Sequence, residues 1–229
     1  MPGVLPIQTI PLPTAGQITL PPGPISIPGQ GFPAAVVNTG TWQGPSIQAV
    51  RPVAAPPPGV PADVRGILAS WPDNPRRVAE ALTRKYGKPD EVCSAHLAWY
   101  RKGPWHISMV QKEEIAHNFP TPHTDFLIQA VQYPVDPDVY DDLAKFNGSA
   151  VVERTWGLLG GMCGDEAMNL MIVNLAHEIA AGKLGWKEAR AKLVELTRRW
   201  ISGAAPAEAT GLRFSLPPAY HGNADVAAF

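Results

Sequence analysis

Charge is scarce in this chain. Asp, Glu, Lys and Arg make up 17% of its 229 residues, and Arg51 is the only charged side chain before Asp63. The net charge of −1 and the pI of about 6.6 argue against a nucleic-acid binder that works by neutralising phosphates. Only two cysteines occur, Cys93 and Cys163, too few for a disulfide framework or a zinc knuckle. No run approaches the roughly 18 apolar residues that span a bilayer. MPGVLPIQTI at the start lacks a basic segment followed by an unbroken apolar core, so no signal peptide is expected and a soluble, cytoplasmic protein is the default. Gly157, Gly160 and Gly161 surround Leu158 and Leu159, with none of the lysine that a phosphate loop needs. His177-Glu178 lacks the second histidine of a metalloprotease helix.

Proline, by contrast, is abundant. Fifteen of the 26 prolines lie at or before Pro61, a density that interrupts helices and strand ladders alike. Residues 1–62 therefore read as an extended, Pro-rich arm in polyproline II and short extended pieces. The arm has almost no charge to keep it solvated, yet it carries Ile18, Leu20, Ile25, Ile27 and Phe32. Each such side chain is worth about 1.5–3 kcal/mol on full burial, and an extended chain has no interior in which to bury it. A partner protein or a second copy is the expected resting place. Pro58-Gly59-Val60-Pro61 also has the spacing read by polyproline-binding grooves, with Arg51 as the only flanking charge.

Residues 63–203 read as one α+β domain, with 204–229 as a C-terminal tail. Asn74 and Pro75 suggest a helix start, and Gly87 and Pro89 its end. CSAHLAWYRKGPWHISMVQK suggests a hairpin turning at Lys102-Gly103. DFLIQAVQY, 125–133, reads as a central strand; Asp136-Pro137 opens a short helix, and 149–159 reads as a further strand. Met168, Met171, Ile172, Leu175 and Ile179 form the stripe of a long helix, and Ala189, Leu193, Leu196 and Trp200 that of another. This order implies a small antiparallel or mixed sheet backed by helices.

Three places offer chemistry. His117, His123 and Asp125 fall within nine positions of one another around Pro120 and Pro122, and are suitable ligands for zinc, manganese or iron. The plainer reading has both histidines bonding loop backbone while Asp125 caps a turn. Cys163 precedes the long helix, whose N-terminus would favour a thiolate, while Asp165 and Glu166 oppose it; a small buried hydrophobe is the alternative. Trp99, Tyr100, Trp105 and His106 lie on the hairpin, as an aromatic surface for a ligand or as cross-strand packing.

From KYGKPDEV onward the chain resembles an uncharacterised family of bacterial proteins. The residues that carry this are Tyr86-Gly87-Lys88-Pro89, the WY…GPW hairpin, His117-Asn118-Phe119-Pro120 with Pro122-His123 and Asp125, FNGSAVVERT, and NLMIVNLAHEIAAGK with the following EAR. The resemblance covers about residues 78–192. It implies a self-contained domain and assigns no activity to any residue.

These features lead to a non-catalytic interaction or accessory structural protein that docks through its arm, with no cofactor expected. The first alternative is a metal-binding protein or metal-dependent enzyme that holds a divalent ion at His117, His123 and Asp125. The second is a small-ligand binder at the aromatic hairpin.

Overall fold

A computed structural model of the chain describes residues 59–218 and 225–229. Helices α1 (Ala62–Leu68) and α2 (Asp73–Tyr86) lead into strands β1 (Glu91–Val92), β2 (His96–Lys102), β3 (Trp105–His117) and β4 (His123–Gln132). Then come α3 (Tyr140–Phe146), β5 (Ala150–Glu153), β6 (Leu158–Cys163), α4 (Glu166–Ala180) and α5 (Trp186–Ile201). Among the described residues the fold is α+β: one six-stranded sheet in the order β1-β2-β3-β4-β6-β5, every pair antiparallel, with five helices. Among the described residues no helix is long and apolar enough to cross a membrane.

Ile18, Leu20, Ile25, Ile27 and Phe32 lie outside the described residues. The last residues of the expected arm do not: Val60 is buried in the core, and its carbonyl accepts a bond from Arg65 Nη1 at 2.7 Å. The C-terminal segment is anchored too. Asn174 Nδ2 donates to the carbonyls of Glu208 and Gly211, and Phe214 stacks on His177 at 4.0 Å.

Local chemistry explains most boundaries. Helix α2 starts one residue before Asn74, after Pro72, and leaves the Asn74 amide free to donate to Glu114. It ends at Gly87, whose φ of 86° is costly for other residues. The β2–β3 turn is shifted from the expected one: Lys102 pairs with Trp105, leaving Gly103-Pro104 as the loop. Arg101 takes a positive φ of 53°, and the register becomes Trp99↔Ser108 and Tyr100↔Ile107 instead of the His106 and Trp105 partners a turn at 102–103 would set. The single strand expected over 149–159 is instead two, folded back at Gly157, whose φ is 65°.

Two buried clusters flank this sheet. One gathers α3, α4, α5 and β6 around Phe146, Leu159, Met171 and Leu193; the other gathers α1 and α2 on Leu97, Trp99, Val110 and Leu127. Tyr86 packs against both. Strand β6 reaches β4 closely because Gly160 has no side chain: an added Cβ would lie 2.4 Å from the Gln129 carbonyl oxygen. Gly160→Ala is expected to destabilise the protein by about 1–3 kcal/mol or more through this overpacking. A urea unfolding midpoint unchanged from the parent would contradict so close a β4–β6 approach.

Candidate metal centre

The centre is built at one end of the β3–β4 hairpin. A wide bulge separates the pairs Val110↔Leu127 and Ile115↔Asp125, so that four residues of β3 oppose Phe126 alone. Bulges of this kind re-aim side chains near functional sites. Beyond it, His117 and His123 are directly paired across the hairpin, closed by residues 118–122 with a cis Phe119–Pro120 peptide. The stretch is therefore a turn between two strands, and it also brings the donors together.

One donor atom from each of His117, His123 and Asp125 lies within 4.8 Å of the others. Asp125 is 1% exposed. Its Oδ2 lies 3.0 Å from His117 Nδ1 and accepts a hydrogen bond from the Ser149 hydroxyl, which is itself 3.2 Å from His117 Nδ1. Oδ1 lies 2.9 Å from His123 Nε2, but no N–H points along that line, and this buried oxygen has no aligned hydrogen-bond donor. At this distance the two attract as an ion pair, with a contact too oblique for a well-aligned hydrogen bond.

The histidines differ. His123 Nδ1 donates to the Thr121 carbonyl at 2.7 Å, leaving Nε2 directed at Asp125 and at Cys163 Sγ, 3.3 Å away. Burial works against protonation of His123, but the Asp125 carboxylate, the Cys163 sulfur and the Thr121 carbonyl outweigh it and lift its pKa to about 10. For His117 burial dominates, only partly offset by Asp125 and reinforced by the charges of His123 and Arg190, so its pKa falls below the ordinary value. Metal-free at neutral pH, the cluster thus holds a neutral His117 and a charged His123.

Distant elements brace the turn. The Arg190 guanidinium of α5 lies 3.6 Å from the centre of the Phe119 ring and donates to the Phe146 carbonyl at 2.8 Å, tying the turn to the end of α3. A cavity of about 340 Å³ opens beside the cluster, with Pro120, Thr121, His123, Phe126, Cys163 and Met168 among its walls.

Cys163 is buried, and burial raises its thiol pKa against the pull of His123. Both cysteines are free. The hairpin aromatics do not all face one way, although Trp105 and His106 both border one shallow pocket. Trp99 and Trp105 are core residues whose indole N–H groups donate to the Gly87 carbonyl and to Glu166, at 2.9 and 2.7 Å. Tyr100 points outward and donates to Glu91, and His106 meets the exposed Trp156 edge-on at 5.4 Å. Successive strand residues face opposite sides of a sheet, which separates Trp99 from Tyr100 and Trp105 from His106. Sequence reasoning missed Ser149, which lies 32 positions from His117 and carries no local signal.

No family model, curated protein or solved structure matches this chain.

Linkage gives the pH response. The His123 pKa is raised from 6.5 to about 10 on folding, so its stabilisation is complete below pH 6.5 and is lost as pH rises through 10. His117 acts oppositely, its contribution failing as pH falls below its ordinary value. In chelator, the unfolding midpoint is expected to drop between about pH 7 and about pH 10, and His123→Gln to flatten that drop. Equal slopes in parent and variant would show that His123 is not the titrating group.

Proposed function

We propose that this protein binds one divalent transition-metal ion at His117, His123 and Asp125. The observation that carries the reading is the Asp125 carboxylate, buried to 1% exposure between two imidazoles with Oδ1 lacking an aligned donor. A carboxylate withdrawn from water needs partners for its oxygens, and a cation meets that need where a hydrogen bond does not. An ion about 2.1 Å from each donor holds donors roughly 3 to 4 Å apart, so binding draws the most widely spaced of these donors, within 4.8 Å here, together by about 1 Å. The surroundings match those of a metal site as well. The Thr121 carbonyl orients His123 from its far nitrogen, and Ser149 supports Asp125, as outer-shell partners do for ligands.

Calorimetric titration of chelator-treated full-length protein with Zn²⁺ is expected to give one ion per chain. At free metal about 100 times Kd, binding adds about 2.7 kcal/mol to unfolding stability. His123→Ala is expected to abolish uptake, and Asp125→Asn to weaken it by more than about tenfold. Failure of Zn²⁺, Co²⁺ and Mn²⁺ alike to bind the parent retires the proposal.

A second reading rests on the arm: the apolar, nearly uncharged residues 1–58 dock on another protein or a second copy. Because Val60 belongs to the core, the informative truncation begins at Gly59, which leaves that packing intact. If the arm mediates self-association, the truncated chain is expected to scatter light as a smaller species than the full-length protein. Identical masses, together with no lost partner, would remove this reading.

A further inference from the structure

Cys163 ends β6, and its Cα pairs with Leu127, two residues along β4 from Asp125. Its sulfur meets the cluster at one atom, His123 Nε2, 3.3 Å away. That nitrogen has Asp125 Oδ1 at 2.9 Å, while the opposite ring nitrogen is already engaged by the Thr121 carbonyl. Three electron-rich atoms therefore converge at the wall of the cavity, where Asp125 and Cys163 are 1% exposed and His123 is half-buried. One proton on Nε2 cannot point at both the oxygen and the sulfur. Oδ1 is the atom left without an aligned donor. A relay of the nucleophilic kind is also excluded here, because it places thiol and carboxylate on opposite ring nitrogens, whereas both approach Nε2.

We propose that Cys163 is a fourth ligand of the centre, so that the ion held by His117, His123 and Asp125 is also bound by the Cys163 thiolate. The inference rests on the metal reading above. On binding, the thiol proton and the His123 Nε2 proton pass to solvent, metal–sulfur and metal–nitrogen bonds form, and no oxidation state changes. The observed separations of 2.9 and 3.3 Å suit oxygen and sulfur donors beside a nitrogen on one ion with bonds of about 2.1 and 2.3 Å. Two imidazoles, a carboxylate and a thiolate form a borderline-soft set that selects Zn²⁺ or Co²⁺ over Mn²⁺ or Mg²⁺. Four protein ligands also fill a tetrahedral shell and leave no position for a water nucleophile. Such an ion pins the ends of β3, β4 and β6 together, a structural role.

The test is Co²⁺ titration of the full-length protein, followed by zinc-edge X-ray absorption on the Zn²⁺ form. Expected are a thiolate-to-cobalt charge-transfer band in the near ultraviolet and the intense visible bands of four-coordinate cobalt. Cys163→Ser should lose the first and bind Co²⁺ more than about 100-fold more weakly, beyond the roughly 10–100-fold of an outer-shell change. The absorption fine structure needs no variant and should show one sulfur at about 2.3 Å beside nitrogen and oxygen scatterers at about 2.0–2.1 Å. Cobalt bound without the charge-transfer band, with only nitrogen and oxygen around zinc, overturns the role of Cys163 and leaves the His/His/Asp reading standing. No uptake of either metal overturns both.

Discussion

A carboxylate removed from water is the constraint around which one end of the β3–β4 hairpin is arranged. Ionised Asp125 costs several kcal/mol to bury unless opposite charge and hydrogen bonds replace its hydration. The chain meets that demand from three directions: His123 from the same strand, His117 from across the hairpin, and Ser149 from the loop before β5. The bulge in β3 and the turn at 118–122 are the backbone features that set this geometry. Arg190 then holds the turn against the end of α3.

A second, half-buried carboxylate shows what full satisfaction looks like. Glu166, at the start of α4, accepts from Lys85 Nζ at 2.6 Å, from the Trp105 indole at 2.7 Å and from the Tyr86 hydroxyl. Burial raises its pKa, but these donors, Lys85 first, outweigh that and hold the carboxyl below its usual range. Glu166 thereby joins α2, β3 and α4 with no oxygen left over, and it acts as a strut. Asp125 is buried more deeply, at 1% exposure, and has one oxygen without an aligned donor. That difference separates a candidate ligand from a structural ion pair, and it is invisible in residue type.

Legibility in the sequence followed the range of the interactions. The long stripes of α4 and α5 were readable because each buries one continuous face, and Gly87 and Asp136 marked the end of α2 and the turn that leads into α3 through backbone and capping chemistry. The start of α2 was misplaced by two residues, the cap falling at Pro72 and not at Asn74, whose side chain is spent on Glu114, a strand residue 40 positions away. The β2–β3 register followed the turn at Gly103-Pro104, one residue beyond the Lys102-Gly103 turn that the sequence suggests. The break between β5 and β6 was hidden by alternation that runs through Trp156 and Gly157. Trp99 and Trp105 looked like a possible binding surface until their burial was known.

By itself the sequence determined that residues 1–58 are nearly uncharged and proline-interrupted, that an α+β domain follows, and that His117, His123 and Asp125 lie close together along the chain. Those properties are local, set by composition, spacing and backbone chemistry. Only the tertiary structure decided that Cys163 comes to His123 from 40 residues away, that Ser149 comes to Asp125 from 24, and that one oxygen of Asp125 is buried without an aligned donor. Such facts depend on which strands become neighbours and how each side chain is turned, and that choice belongs to the packing of the whole core.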